Sequence, residues 1–114
     1  MLNEIEKMNS FKRTLRYFFP NKKLPNINLE WFNEFKIKPQ ADKILWHLEN
    51  FEKITNKQCH IIYGIRHCPS VIRNLRHRFL TEKSKYKIVN LTHNDFNFWG
   101  QKVTYDDYIL TPID

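Results

Sequence analysis

The sequence predicts an α+β chain in which helices come first and a single β-hairpin comes last. Three observations carry that expectation. Apolar residues recur at helical spacing from Leu2 as far as Phe79. Proline, asparagine and glycine interrupt the recurrence where helices would start and stop. Beyond residue 85 the pattern changes to runs of β-branched and aromatic residues.

Residues 1–19 read as an amphipathic helix, with Leu2, Ile5, Met8, Leu15 and Phe18 or Phe19 on one stripe and Lys12, Arg13 and Arg16 off it. Pro20 and Pro25 bracket a break, because proline lacks an N–H and disfavours helix in the residue before it. Asn28 can cap a short helix in which Leu29, Phe32 and Phe35 share a face. Residues 1–38 hold too few apolar side chains for a core of their own. This N-terminal helical extension is therefore expected to pack on the rest or to form a homodimer through residues 1–19.

Residues 39–114 form the main domain. Pro39 suits a first helical position, and Ala41, Ile44 or Leu45, Leu48 and Phe51 follow at helical period. Ile54 reads as a short extended link. Thr55-Asn56-Lys57-Gln58 is a capping box that opens a helix closed by Gly64. After Ile65-Arg66-His67, Cys68-Pro69 starts the next helix, whose apolar face is Ile72, Leu75 and Phe79. Two strands, residues 86–91 and 103–110, flank a loop over 92–100.

Length and composition bound the function. A chain of 114 residues is one domain with at most a short appendage. Its 41% hydrophobic and 15% aromatic content suffices for one core and argues against disorder. No apolar run approaches the roughly 20 residues of a membrane span, so no membrane partner is expected. Glu4 and Glu6 stand where a secretory signal would need an apolar stretch. The chain is thus expected in the cytoplasm, with Cys59 and Cys68 as free thiols. Lys and Arg number 19 against 12 acids, for a net charge of +7. Between Glu52 and Glu82 there is no acid, yet Lys53, Lys57, Arg66, Arg73, Arg76 and Arg78 lie there. Such an excess favours a polyanionic partner.

Helix, link, capped helix, glycine turn, arginine-rich helix and hairpin together make the order of a winged helix-turn-helix. At 100° per residue, Leu75, Phe79 and Cys68 fall within about 60° of Ile72. Ser70, Arg73, Asn74 and His77 fall between about 100° and 200°, on the opposite side. That second face, on the helix 69–80, carries side chains able to reach base edges in a major groove of double-stranded DNA. Lys57, Arg66 and Arg78 flank it and suit phosphates. Arg76 lies only about 40° from the apolar centre and is expected to pair with a carboxylate or the backbone. The plainer alternative for the whole face is solvated surface.

Ile44-Leu45 and Leu48, Ile54-Thr55, Tyr63-Gly64-Ile65, Val71-Ile72-Arg73-Asn74-Leu75-Arg76 and Tyr108-Ile109-Leu110 occur in a fixed order. This pattern resembles a family of small bacteriophage and prophage helix-turn-helix domains over roughly residues 39–114. The resemblance implies a winged helix and, by fold, DNA binding as a transcriptional or replication accessory factor. Residues 1–38 have no counterpart in it, and Phe96, Phe98 and Trp99 occupy a wing tip that is more usually basic. Those aromatics either fold back between wing and helices or stay exposed as a protein-docking patch or minor-groove wedge. Asp106-Asp107 on the second wing strand would sit awkwardly against phosphate, which favours a protein surface there. The runner-up function is therefore a phage counter-defence inhibitor, anti-CRISPR-like, that binds a host defence protein or ribonucleoprotein. Phe96, Phe98 and Trp99 with Lys12, Arg13 and Arg16 would then form the contact.

Other chemistry is not expected. Cys59-His60 and His67-Cys68 lack the spacing of a zinc site. Four residues separate Cys68 from Arg73 and none is glycine, so no tyrosine-phosphatase-type phosphate loop can form. Asp106 and Asp107 are adjacent on a strand and point to opposite faces. No cofactor, metal or enzymatic activity is predicted.

Overall fold

The computed structural model describes residues 1–113, which form five α-helices and one three-stranded antiparallel sheet. The order is α1 (Glu4–Phe18), α2 (Leu29–Lys36), α3 (Gln40–Phe51), β1 (Lys53–Thr55), α4 (Asn56–Tyr63), α5 (Cys68–Thr81), β2 (Tyr86–Phe96) and β3 (Lys102–Pro112). The sheet runs β1-β3-β2. Among the described residues no helix is long and apolar enough to cross a membrane.

Local chemistry places the helix ends. The side chains of Asn3 and Asn28 accept the N–H groups of Glu6 and Trp31, each at 2.8 Å, and open α1 and α2. Around α4 the capping box is complete: Thr55 Oγ1 accepts Gln58 N–H at 3.0 Å and Gln58 Oε1 accepts Thr55 N–H at 3.2 Å. Gly64 closes α4 in the left-handed region at φ 69°, where a β-carbon would be strained. Removing the cap with Thr55→Ala should cost about 1 kcal/mol of stability in urea unfolding, with a conservative Thr55→Ser restoring most of it.

Two apolar clusters share α3. Ile44 and Leu48 join Ile54, Ile72, Leu75 and Ile88 beneath the sheet. Phe51 and Trp46 join Leu15, Ile27 and Phe32 with Phe11 and Trp31 from the N-terminal segment. The extension therefore packs on the main domain. Its apolar stripe is spent inside the chain: Leu15 is fully buried, and only the start of the stripe, Leu2 and Ile5, stays exposed. A homodimer through residues 1–19 would have to do without the buried part of that stripe.

His47 sits between the clusters and is fully buried. Its Nδ1 lies 2.6 Å from the Tyr63 hydroxyl and its Nε2 3.0 Å from the Lys53 carbonyl. Nε2–H donates to that carbonyl, which leaves Nδ1 to accept from Tyr63 O–H. Burial holds the His47 pKa down, from 6.5 to about 4, so the ring is neutral at pH 7.

One expectation is sharpened and another needs correction. The extended link expected at Ile54 is also a paired strand: β1 joins β3 through Lys53↔Ile109, Ile54↔Tyr108 and Thr55↔Asp107. A three-residue segment shows no period of its own, so only the tertiary partner reveals it. The loop expected over 92–100 is mostly strand, because β2 continues to Phe96 and β3 begins at Lys102. Polar pairs disguised the alternation. Asp106 accepts from Thr92 and Asn90 at 2.8 and 3.1 Å, Thr104 donates to Asn94, and His93 stacks on Tyr105 with centroids 4.9 Å apart.

Candidate nucleic-acid interface

α5 has the two faces its sequence predicts. Cys68, Val71, Ile72 and Leu75 are buried against α3, α4 and the sheet, while Arg73, Asn74 and His77 are exposed. Among the described residues, the Arg73, Asn74 and His77 side chains are in no hydrogen bond or ion pair. Their full donor capacity faces outward. Ser70 is half-buried and committed locally, because its Oγ lies 2.6 Å from His67 Nδ1. The same imidazole nitrogen accepts Ser70 N–H at 3.3 Å and so caps α5. His67 as a helix cap was not legible from its residue type, since caps are usually Ser, Thr, Asp or Asn.

The cations expected on phosphates divide. Lys57 on α4 and Arg66 in the α4–α5 turn are exposed, with no carboxylate partner among the described residues. Arg78 is not free: its Nη1 lies 2.7 Å from Asp42 Oδ1 on α3. That ion pair ties α5 to α3 across 36 positions of sequence, and it removes Arg78 from the set available to phosphate. Arg76 takes the structural role expected of it. Its Nε donates to the Ile88 carbonyl at 3.1 Å and its Nη2 to Asn90 Oδ1, pinning α5 to β2.

On the hairpin, Phe96, Phe98 and Trp99 are 69%, 91% and 79% exposed, so the aromatics do not fold back onto the helices. Their turn is ordered by Asn97, whose residue type alone does not mark it for that role. Asn97 Oδ1 accepts the N–H groups of Trp99 and Gln101 at 2.9 and 3.0 Å, and Gly100 follows at φ 76°. The acidic pair does point to opposite faces. Asp106 is occupied by Asn90 and Thr92, while Asp107 is buried, with His93 Nε2 at 2.8 Å and Lys53 Nζ at 3.6 Å.

Lys12, Arg13 and Arg16 lie on α1, well along the chain from the hairpin turn. Lys12 and Arg16 line a groove of about 490 Å³ with Lys22 and Lys23. The latter two cations joined the patch only on folding. Cys59 is fully buried and Cys68 nearly so, both as free thiols. Hydrogen bonding to Cys68, then burial, pushes the Cys59 thiol up and keeps it unreactive. No group of three or more metal-ligating side chains occurs among the described residues. No family model, curated protein or solved structure matches the chain.

Proposed function

We propose that this chain is a winged helix-turn-helix protein of phage type that binds double-stranded DNA, with α5 in the major groove. One observation carries the reading. Among the described residues, Arg73, Asn74 and His77 stand exposed and unpaired on a helix whose opposite face is core, flanked by Lys57 and Arg66, which have no carboxylate partner there. Arg73 and Asn74 are suited to guanine and adenine edges, and Lys57 and Arg66 to the backbone. Ser70, held by His67, would contribute less than its position suggests. The role is that of a non-enzymatic transcriptional or replication accessory factor in the host cytoplasm.

Fluorescence anisotropy with a labelled random-sequence duplex across a salt series tests it. Counterion release gives a log–log slope of about −0.9 per phosphate contact, so two or three contacts should give roughly −2 to −3. Arg66→Ala should flatten that slope by about 0.9, whereas Arg78→Ala should leave it unchanged because Arg78 is already paired. Absence of binding at low salt overturns the reading.

The exposed Phe96, Phe98 and Trp99 favour a second reading, a counter-defence inhibitor that docks on a host defence protein or ribonucleoprotein. Phe98→Ala/Trp99→Ala would then abolish partner capture and leave any duplex binding by α5 intact.

A further inference from the structure

At the end of the sheet opposite the aromatic turn, an apolar strip is left uncovered. Tyr86 and Pro112 pair on the sheet face that also carries Ile88 and Leu110. α5 stops at Thr81; Ile88 is buried in the core, whereas Tyr86 and Pro112 are exposed. Leu80, Tyr86 and Ile113 are accordingly 80%, 48% and 52% exposed. Phe79 and Tyr86 form a ridge between two grooves. The first, about 630 Å³, has an apolar floor of Leu45, Leu48 and Leu110 and an acidic rim of Glu49 and Glu52. The second, about 290 Å³, is lined by the apolar Leu80, Ile88 and Ile113 together with Arg76, Lys83 and Lys87.

The surface between the grooves is built, with its backbone tied down. Ser84 N–H donates to the Phe79 carbonyl at 2.9 Å and Ile113 N–H to the Lys85 carbonyl at 2.8 Å. Ser84 Oγ accepts Tyr86 N–H at 3.1 Å. Lys83 turns the chain in the left-handed region at φ 51°. Among the described residues, Glu49, Glu52, Lys83 and Lys87 are in no ion pair.

We propose that this strip is a self-complementary interface whose occupant is a second copy of the chain. A two-fold contact sets residue i against j and j against i. A strip with acid along one side and base along the other then satisfies both rims at once, with the two Phe79–Tyr86 ridges packed against each other along the axis. Nucleic acid would be repelled by Glu49 and Glu52. A partner of one charge sign would match one groove and oppose the other. The inference is independent of DNA binding, since assembly is measured without nucleic acid, although a dimer would also present two copies of α5.

Sedimentation equilibrium of the full chain, free of DNA, tests the proposal. The expected mass is twice 14.0 kDa at micromolar concentration and falls toward 14.0 kDa on dilution. Leu80→Asp should give a monomer with unchanged far-UV circular dichroism. Lys83→Glu/Lys87→Glu and Glu49→Lys/Glu52→Lys should each give monomers, and mixing the two should restore the double mass as a heterodimer. A wild type that stays monomeric at every concentration overturns the proposal. So does a dimer that survives Leu80→Asp and both charge reversals, or reversed chains that remain monomeric when mixed.

Discussion

Phe51→Ala is expected to lower the unfolding free energy by about 3–5 kcal/mol, the usual range for emptying a buried phenylalanine site. Phe51 is buried, and its ring stacks on Phe19 with centroids 4.2 Å apart and planes 7° apart. Trp46 meets it edge-on at 5.9 Å, His47 lies 5.0 Å away, and Lys22 Nζ sits 5.3 Å from its centroid. These partners come from α1's C-terminal end, from the α1–α2 link and from α3. The cavity therefore opens where the N-terminal extension meets the main domain, and it cannot collapse without moving one of them. Urea unfolding followed by circular dichroism and by the fluorescence of Trp31 and Trp46 would measure the loss. A cost under about 1 kcal/mol would mean that the extension does not depend on this contact. By the same logic, deleting residues 1–38 exposes Phe51 and Trp46. Loss of function in such a truncation would then report on folding as much as on a lost binding arm.

A second large effect comes from His47 on acidification. Its folded pKa is about 4, held there by burial, against 6.5 when free. Between those values the unfolded chain binds a proton that the folded chain refuses, so stability rises with pH across the window. The contribution is complete above pH 6.5 and is lost as pH falls toward 4. At 1.36 kcal/mol per unit, the loss amounts to roughly 3 kcal/mol. Protonation would also place a second proton on Nδ1, which now accepts from Tyr63 O–H, and so break the pair at 2.6 Å. Urea midpoints at pH 7 and near pH 4.5 would show the drop. His47→Gln should be less stable at pH 7 but show a much flatter profile over that window. A variant profile as steep as the wild type would assign the effect to other groups.

Much of the secondary structure was legible because it is encoded locally. Thr55 and Gln58 cap α4 from three residues apart, and Gly64 supplies a left-handed residue that the sequence marks directly. Helical periodicity alone separated the buried Ile72 and Leu75 from the exposed Arg73, Asn74 and His77. His47 was also signalled, since it falls on the stripe of Ile44, Leu48 and Phe51, but a histidine there reads as polar until Tyr63 and Lys53 are seen to satisfy it. β1 carried no such signal, because a strand of three residues is defined by its partner.

The sequence by itself determined the helix boundaries, the two-faced α5 and the excess of positive charge around it. These depend on interactions within a few residues or on composition. The tertiary structure alone decided which charges remain available and which surfaces remain bare. Arg78 met Asp42 across 36 positions, the stripe of α1 was consumed by Phe32 and Phe51, and the hairpin carried Phe98 and Trp99 away from the core. The physical reason is that pairing and burial depend on distance in space. A local period records which way a side chain points, but not what, if anything, arrives opposite it.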